Sequence, residues 1–207
     1  MKKIRVGITG NRFSGKTKVS NYFKKLYIPV FDADLVIKFI LKYNYEIIGV
    51  IEKELGSNYI KKDNYSVNIS KVNRDNKFNE VLSIIKNEIF DSYKIFEEKN
   101  NSIYSLFKTN ILYESGWDKM MNKSISVYAP YHIRIMRGKN KLKNRFHDEQ
   151  TLYYMLNSEM DELDKNYKSK YVIHNYNELD IKKQVLEVDQ KIIDAYIKSE
   201  QTYKHII

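Results

Sequence analysis

Residues 4–17, IRVGITGNRFSGKT, decide the fold because they join a strand pattern to a glycine-containing loop and to the start of a helix. Ile4, Val6 and Ile8 alternate as the buried residues of a β-strand do. After the loop, apolar residues recur with the spacing of one helix face, and they are Val19, Tyr22, Phe23 and Leu26. A strand that passes through such a loop into a helix predicts the first βα unit of an α/β domain.

The loop has the spacing GxxxxGK[ST], which is typical of phosphate binding. Its glycines let the backbone wrap around an anion, and the helix that follows presents its unpaired N-terminal amides to the same anion. We expect Lys16 to reach the outer phosphates of a nucleotide and the Thr17 hydroxyl to hold Mg²⁺. The predicted nucleotide-binding residues are Gly10, Asn11, Arg12, Phe13, Ser14, Gly15, Lys16, Thr17 and Lys18. The alternative is an ordinary strand-to-helix turn with an incidental lysine.

The composition limits the class of protein. A chain of 207 residues with 43% hydrophobic residues suffices for one domain with its own core. It contains no cysteine, which excludes a disulfide framework, a thiolate metal site and a cysteine nucleophile. No apolar stretch is long enough to span a bilayer, and the N-terminal apolar run is interrupted by Arg5 and by glycines, so we expect a cytoplasmic protein. The histidines are scattered without metal-ligand spacing.

The net charge of +10 at pH 7 is concentrated in one segment. Residues 134–145, RIMRGKNKLKNR, include several basic side chains and no acidic one. Such a local cluster indicates a phosphate-bearing partner more than a general basic coat, and much of the remaining basicity is lysine, which a genome rich in A/T would favour. We therefore expect a small-molecule substrate, no nucleic-acid partner and no membrane partner. A solvated basic surface is the alternative.

Two aspartates follow the second predicted strand, YIPVF at residues 27–31. Ligands of an open parallel sheet lie beyond the carboxyl ends of the strands, so we expect Asp32 near the terminal phosphate, with a catalytic function. Asp34 is expected to cap a helix that starts at Leu35.

The opening of the chain resembles that of the dephospho-CoA kinases. GITGNRFSGKTKVSNYF, followed by IPVFDADLV, is similar to the family's glycine-rich loop, helix and strand ending in DAD. Weaker similarities follow in the family's order, and they are ELGSNYI at 54–60, ILYESG at 111–116 and YVIHN at 171–175. The resemblance implies a kinase that uses ATP and Mg²⁺ to phosphorylate the 3′-hydroxyl of dephospho-CoA, the last step of coenzyme A synthesis.

The resemblance also assigns the basic segment. It implies that residues 134–145 form part of a lid, a helix with arginines followed by a mobile loop that closes over the nucleotide. Arg137 and Arg145 would then neutralise negative charge on the transferring phosphoryl group, a contribution of roughly 10³ to 10⁵ in rate in related reactions. Arg137 therefore joins Lys16 and Asp32 as a predicted catalytic residue, and Arg145 joins the predicted nucleotide-binding residues.

The chain departs from the family pattern at several places. Residues 108–110 stand where an acidic residue and a proline are usual, and residues 86–87 stand where a His-Pro pair is usual. Tyr154 and Glu159 lie near the positions of an arginine and a glutamine that help to bind ligand in the family. Glu114 is either at the ligand edge or in a solvated loop. These departures leave two alternatives open, a (deoxy)nucleoside monophosphate kinase or other small-molecule kinase, and a non-catalytic protein that binds nucleotide or nucleic acid.

Strands that alternate with helices predict a parallel sheet covered by helices on both faces. The loop makes this an α/β fold of the P-loop NTPase class, similar to the nucleoside monophosphate kinases. We expect a single domain with a core at 1–59, 101–133 and 168–207, a helical acceptor-binding insert at 60–100 and a lid at 134–167. Further predicted elements are a helix at 45–55 closed by a left-handed Gly56, a polar loop at 61–76, a helix at 77–98, strands at 102–113, 125–129 and 171–173, one helix through Leu152 and Leu163, and a final helix at 178–198.

Overall fold

The computed structural model describes residues 3–142, 149–176 and 180–204. In these ranges the strands are β1 (Ile4–Thr9), β2 (Val30–Asp32), β3 (Ile60–Lys61), β4 (Ser66–Val67), β5 (Tyr104–Lys108), β6 (Lys123–Tyr128) and β7 (Tyr171–His174). The helices are α1 (Lys16–Lys25), α2 (Ala33–Tyr43), α3 (Tyr45–Leu55), α4 (Ile69–Arg74), α5 (Phe78–Glu98), α6 (Tyr131–Leu142), α7 (Glu149–Asn157), α8 (Glu162–Lys168) and α9 (Ile181–Lys204). Among the described helices, none offers a stretch long and apolar enough to cross a membrane.

The main sheet has five strands in the order β2-β5-β1-β6-β7. Strand β1 pairs in parallel with β5 on one side and with β6 on the other, and β6 pairs in parallel with β7. Central parallel strands are buried on both faces, and Val6 and Ile8 of β1 accordingly have no exposed surface. The predicted parallel α/β fold is confirmed.

The chain divides into two compact units. One comprises Met1–Val30 and Ser102–Ile207, and the other comprises Phe31–Asn101. In the first unit, α1 and α9 pack their apolar faces around the strands, because Val19, Phe23 and Ile192 are completely buried. The Tyr104 hydroxyl of β5 donates to the Asp189 carboxylate of α9 at 2.6 Å, and burial is the main cause that raises the pKa of this tyrosine.

The second unit is organised around α5. Its buried residues recur at helical spacing and are Val81, Leu82, Ile85, Ile89, Tyr93 and Glu97. The Tyr93 ring lies 5.3 Å from that of Phe31, centroid to centroid. The predicted helix at 77–98 is thus confirmed with a start at Phe78. The predicted division of the chain into core, insert and lid stays a prediction.

Several secondary-structure predictions between residues 27 and 76 are wrong. The second strand does not begin at Tyr27, which is 93% exposed with φ +60°, and β2 starts only at Val30. Residues 61–76 are not a plain loop, because they include strand β4 and helix α4. The polar composition of this segment concealed both elements, since its only buried residues are Ser66, Val67 and Val72. Gly56 has φ 109° and ψ 151°, which lies outside the left-handed helical region.

The single helix predicted through Leu152 and Leu163 is also wrong. Helix α7 ends at Asn157 and α8 begins at Glu162, with Asp161 capping the amides of Leu163 and Asp164. Leu152 is buried, whereas Leu163 is 65% exposed. A capping aspartate in the middle of the apolar stripe is the local signal for the break.

Candidate active site

The turn between β1 and α1 can form only with glycine at two positions. Gly10 has φ +141°, and a Cβ there would lie 2.3 Å from the Val127 carbonyl oxygen. Gly15 has φ +93°, and a Cβ there would lie 1.9 Å from Nδ2 of Asn175. Both conformations are ones that side-chain-bearing residues rarely adopt, and neither position has room for a methyl group.

Lys16 is the first residue of α1 and points its ammonium group back to the loop. Its Nζ donates to the carbonyl oxygen of Gly10 at 2.5 Å and to that of Asn11 at 3.3 Å. The residue is only 7% exposed. The loop therefore holds a buried positive charge beside its own backbone, which favours the approach of an anion.

Polar groups of the loop fit a phosphate and a magnesium ion. The buried Ser14 hydroxyl has no hydrogen-bond partner among the described residues, so it can donate to a phosphate oxygen. Thr17 is exposed at the second position of α1, where its hydroxyl is accessible to Mg²⁺. The described residues contain no cluster of three or more histidine or acidic side chains that could hold a metal ion. A magnesium ion here would therefore depend on Thr17, on water and on the phosphates themselves.

Arg137 of α6 is hydrogen-bonded to the backbone of the phosphate-binding loop. Its Nη1 donates to the carbonyl oxygens of Phe13 and Ser14, each at 3.2 Å, and its Nη2 donates to the carbonyl oxygen of Asn175 at 2.7 Å. Partial burial lowers the pKa of Arg137 from its ordinary value. The structure thus brings two predicted parts of the site together, the loop and Arg137.

Asn175, which follows β7, is a loop-contacting residue that the sequence did not reveal. Its Nδ2 donates to the Ser14 carbonyl oxygen at 2.6 Å. Its backbone amide donates to the Tyr128 carbonyl oxygen at 2.8 Å. The available signal was its place at the carboxyl end of a strand, on the edge where ligands of parallel sheets lie. A polar residue there is common, so the sequence alone favoured no particular contact.

The segment between α7 and α8 contacts the first half of the phosphate-binding loop, at Asn11 and Arg12. Asn11 donates from Nδ2 to the Met160 carbonyl oxygen at 2.9 Å, and the Arg12 amide donates to Oε2 of Glu159 at 2.7 Å. Burial is the main cause that raises the pKa of Glu159. Sequence reasoning noted Glu159 only as a departure from the family pattern, because the long helix predicted here hid the turn that brings it to the loop.

The side chain of Glu114 is partly buried in an ion pair, so the solvated-loop alternative is wrong, whereas a place at the ligand edge stays a prediction. Its Oε1 lies 2.7 Å from Nζ of Lys165, whose side chain is completely buried. Lys165 also donates to the Asn110 carbonyl oxygen at 2.7 Å. The carboxylate therefore neutralises a buried ammonium group just beyond strand β5.

Asp32, the last residue of β2, and Asp34 of α2 both lie in the second unit, and the catalytic function predicted for Asp32 stays a prediction. Helix α2 begins at Ala33, and Asp32 is its N-cap, because Oδ1 of Asp32 accepts from the Leu35 amide at 3.2 Å. The prediction that Asp34 caps this helix is wrong. Asp34 lies in the first turn of α2, where its carboxylate interacts favourably with the positive end of the helix dipole. Arg145 lies outside the described residues.

A family model of the dephospho-CoA kinases matches residues 4–180. The chain belongs to this family. Membership agrees with the P-loop geometry, and with the strand order that places β1 at the centre of the sheet.

Dephospho-CoA kinases of other organisms are similar to this chain in sequence, and a solved one is similar in fold. The chain is 28% identical over 145 residues to a dephospho-CoA kinase of Clostridium tetani, and this alignment covers 66% of this chain and 63% of the relative. It is 33% identical over 138 residues to one of Buchnera aphidicola, which covers 64% of this chain and 65% of the relative. These alignments therefore span less than two thirds of the relatives' own length. The structure of a dephospho-CoA kinase from Campylobacter jejuni has the same fold, with a TM-score of 0.57 at 20% identity over 92% of this chain and 98% of that one.

Proposed function

We propose that this member of the dephospho-CoA kinase family transfers the γ-phosphoryl group of ATP to the 3′-hydroxyl of dephospho-CoA in the cytoplasm. The observation that carries the proposal is a complete P-loop, with Lys16 buried against it, in a chain whose residues 4–180 match the family. The hydroxyl oxygen forms a bond to the γ-phosphorus, the bond to the β,γ-bridging oxygen breaks, and ADP leaves.

Each predicted residue has a separate part in this proposal. The loop amides and Lys16 hold the β- and γ-phosphates, and Thr17 holds Mg²⁺, which neutralises charge on the same phosphates. Lys18 belongs to the helix start that supports the loop. Arg137 keeps the loop in its binding conformation through its bonds to two loop carbonyls and neutralises charge together with Arg145.

Asp32 is proposed to take the proton of the attacking hydroxyl. The support is that β2 is a strand of the main sheet and that Asp32 ends it, because catalytic groups of parallel sheets gather beyond the strands' carboxyl ends. The same carboxylate accepts the Leu35 amide, a bond that fixes its orientation. A positioned carboxylate of this kind contributes about 10² to 10⁴ in rate as a general base.

One observation favours testing a second acceptor class. The buried residue after β5 is Thr109, whose hydroxyl accepts the Ile111 amide at 3.2 Å, so this position offers no carboxylate to the acceptor or the metal. A kinase with a changed acceptor, such as a (deoxy)nucleoside monophosphate kinase, is compatible with that change.

The test is ATP consumption with a panel of acceptors. The purified chain would be incubated with Mg²⁺ and ATP, and with dephospho-CoA, with each nucleoside monophosphate or with no acceptor, while ADP and phosphorylated product are measured by mass spectrometry. We expect coenzyme A only with dephospho-CoA and no product with the variant Lys16→Ala. If product formed only with a nucleoside monophosphate, that nucleotide and not dephospho-CoA would be the phosphoryl acceptor. ATP binding without any turnover would favour the non-catalytic alternative.

A further inference from the structure

Glu159 places a buried negative charge directly on the phosphate-binding loop. Its side chain is 7% exposed, and Oε2 accepts the backbone amide of Arg12 at 2.7 Å. Arg12 lies between the two loop glycines, in a segment whose amides are the usual donors to a bound phosphate. The protein thus carries an anion of its own at a loop that is built to attract one.

The carboxylate is only partly compensated. Nε of Arg12 is 3.6 Å from Oε1, and Nη1 of Arg134 is 3.9 Å from Oε2, both longer than a charge-assisted hydrogen bond. Oε1 of Glu159 and two guanidinium nitrogens of Arg134, Nε and Nη1, are buried without a hydrogen-bond partner among the described residues. Arg134 directs its Nη2 to Glu162 instead.

The charged groups around Glu159 come from four elements. Arg12 of the loop, Lys16 of α1 and Lys165 of α8 lower its pKa by attraction, and Arg134 of α6 faces it at the distance given above. Burial opposes these attractions and outweighs them, so the pKa of Glu159 lies above its ordinary value of 4.5. The carboxyl group is therefore neutral in acid and ionises as the pH rises through this raised pKa.

We propose that Glu159 is a positioning residue that holds the Arg12 segment of the loop and, through its charge, sets how tightly the loop binds a nucleotide phosphate. Ionised Glu159 reduces the positive potential that Lys16 and the loop amides present to an incoming phosphate. Neutral Glu159 keeps an oxygen that accepts the Arg12 amide but no longer repels the phosphate. The inference rests on the proposed nucleotide binding and adds a control of affinity to it.

The variant Glu159→Gln separates the charge from the hydrogen bond, because the glutamine carbonyl oxygen can still accept the Arg12 amide. The dissociation constant of ATP with Mg²⁺ and no acceptor would be measured by calorimetry between pH 5 and 9 for both proteins. The phosphates of ATP titrate equally in both series, so the ratio of the wild-type constant to the variant constant reports on Glu159 alone. We expect the variant to bind about tenfold more tightly at the alkaline end, the scale of one unit charge roughly 12 Å from the phosphate at an effective dielectric constant near 20.

This ratio should fall towards one as the pH falls and the wild-type carboxyl group becomes neutral. Glu187→Gln is the matched control, because Glu187 is exposed on α9 and its removal changes the net charge equally. We expect the ratio of the wild-type dissociation constant to that of Glu187→Gln to stay near one at every pH. Glu159→Ala, which lacks the acceptor oxygen, should bind ATP more weakly than Glu159→Gln.

A ratio for Glu159→Gln that stays constant across the pH series would overturn the inference and leave only a structural contact, while nucleotide binding would stand. Absence of ATP binding by both proteins at every pH would overturn the proposed function and this inference with it. Thermal midpoints measured at each pH ensure that only folded protein is compared.

Discussion

Asn175 donates from its side-chain Nδ2 to the carbonyl oxygen of Ser14 at 2.6 Å, and its own carbonyl oxygen accepts from Arg137. The residue after the last strand of the sheet is thereby tied both to the phosphate-binding loop and to helix α6. Gly15 lies so close to this amide that any side chain there would collide with it. The loop conformation consequently depends on residues far away in the sequence.

Asn175→Ala should loosen the loop without unfolding the protein. Loss of this hydrogen bond should cost about 0.5 to 1.5 kcal/mol, because the Ser14 carbonyl oxygen still accepts from Arg137. We expect a lower thermal midpoint and a KM for ATP raised several-fold, with a smaller change in kcat. Asn175→Asp is the informative companion, because it keeps the size but cannot donate to Ser14. Full activity of Asn175→Asp at normal KM would show that the hydrogen bond is dispensable.

Lys16→Ala should abolish phosphoryl transfer and leave the fold intact. The ammonium group is a preorganised positive charge, and loss of one such group costs about 10² to 10³ in rate. Lys24→Ala is the matched control, since Lys24 is exposed in the last turn of α1 and also carries one positive charge. Steady-state ATP consumption and circular dichroism check both variants. Comparable rates for the two lysine variants would contradict the assignment of Lys16.

Arg137→Lys should be nearly as harmful as Arg137→Ala. A guanidinium group reaches Phe13, Ser14 and Asn175 at once, whereas an ammonium group has no planar fork to span them. We expect at least about a tenfold loss in kcat/KM for ATP in both variants. Lys141→Ala, an exposed change on the same helix, controls for the loss of one positive charge. Recovery of activity with lysine at position 137 would mean that charge alone matters there.

Asp32 at the end of β2 and Asp34 in α2 should respond differently to the same substitution. Asp32→Asn keeps the cap, because asparagine accepts the Leu35 amide as well as aspartate does, but it removes the proposed base. We expect a normal thermal midpoint and a loss of about 10² or more in kcat. Asp32→Ala should in addition cost about 1 kcal/mol of stability.

Asp34→Asn should be mild in both respects, since it only weakens a favourable charge in the first turn of α2. Measurement of kcat and thermal midpoint for the three variants decides the assignment. An inactive but stable Asp34→Asn beside an active Asp32→Asn would show that the two carboxylates have the reverse functions.

The Lys165 and Glu114 pair should be coupled in stability. Glu114→Gln leaves a completely buried ammonium group without this carboxylate, which we expect to cost about 3 kcal/mol of unfolding free energy, the lower end for a buried pair because Glu114 is partly exposed. Lys165→Met combined with Glu114→Gln should recover most of that loss, because neither charge of this pair is left. Urea unfolding of the single and double variants gives the coupling energy. Additive losses in the double variant would refute a coupled pair.

The strand-loop-helix unit at the N-terminus could be predicted because its signals are local. Alternation at Ile4, Val6 and Ile8, and the positions of Gly10, Gly15 and Lys16, depend only on backbone geometry and on nearby residues. The same holds for α5, where the buried residues recur at helical spacing. The cap of α2 was misplaced by two residues because Asp32 and Asp34 are both good caps and only the tertiary context of β2 selects the first.

By itself, then, the sequence determined the class of fold, the phosphate-binding loop and the identity of its lysine, since each follows from spacing along the chain. Only the tertiary structure decided which residues hold that loop: Asn175, Arg137 and Glu159 come from three separate parts of the chain. The physical reason is that parallel strands are joined through long connections, so neighbours across the sheet edge are far apart in sequence and no periodicity relates them. The break between α7 and α8, which brings Glu159 to Arg12, likewise depends on packing that a hydrophobic stripe cannot reveal.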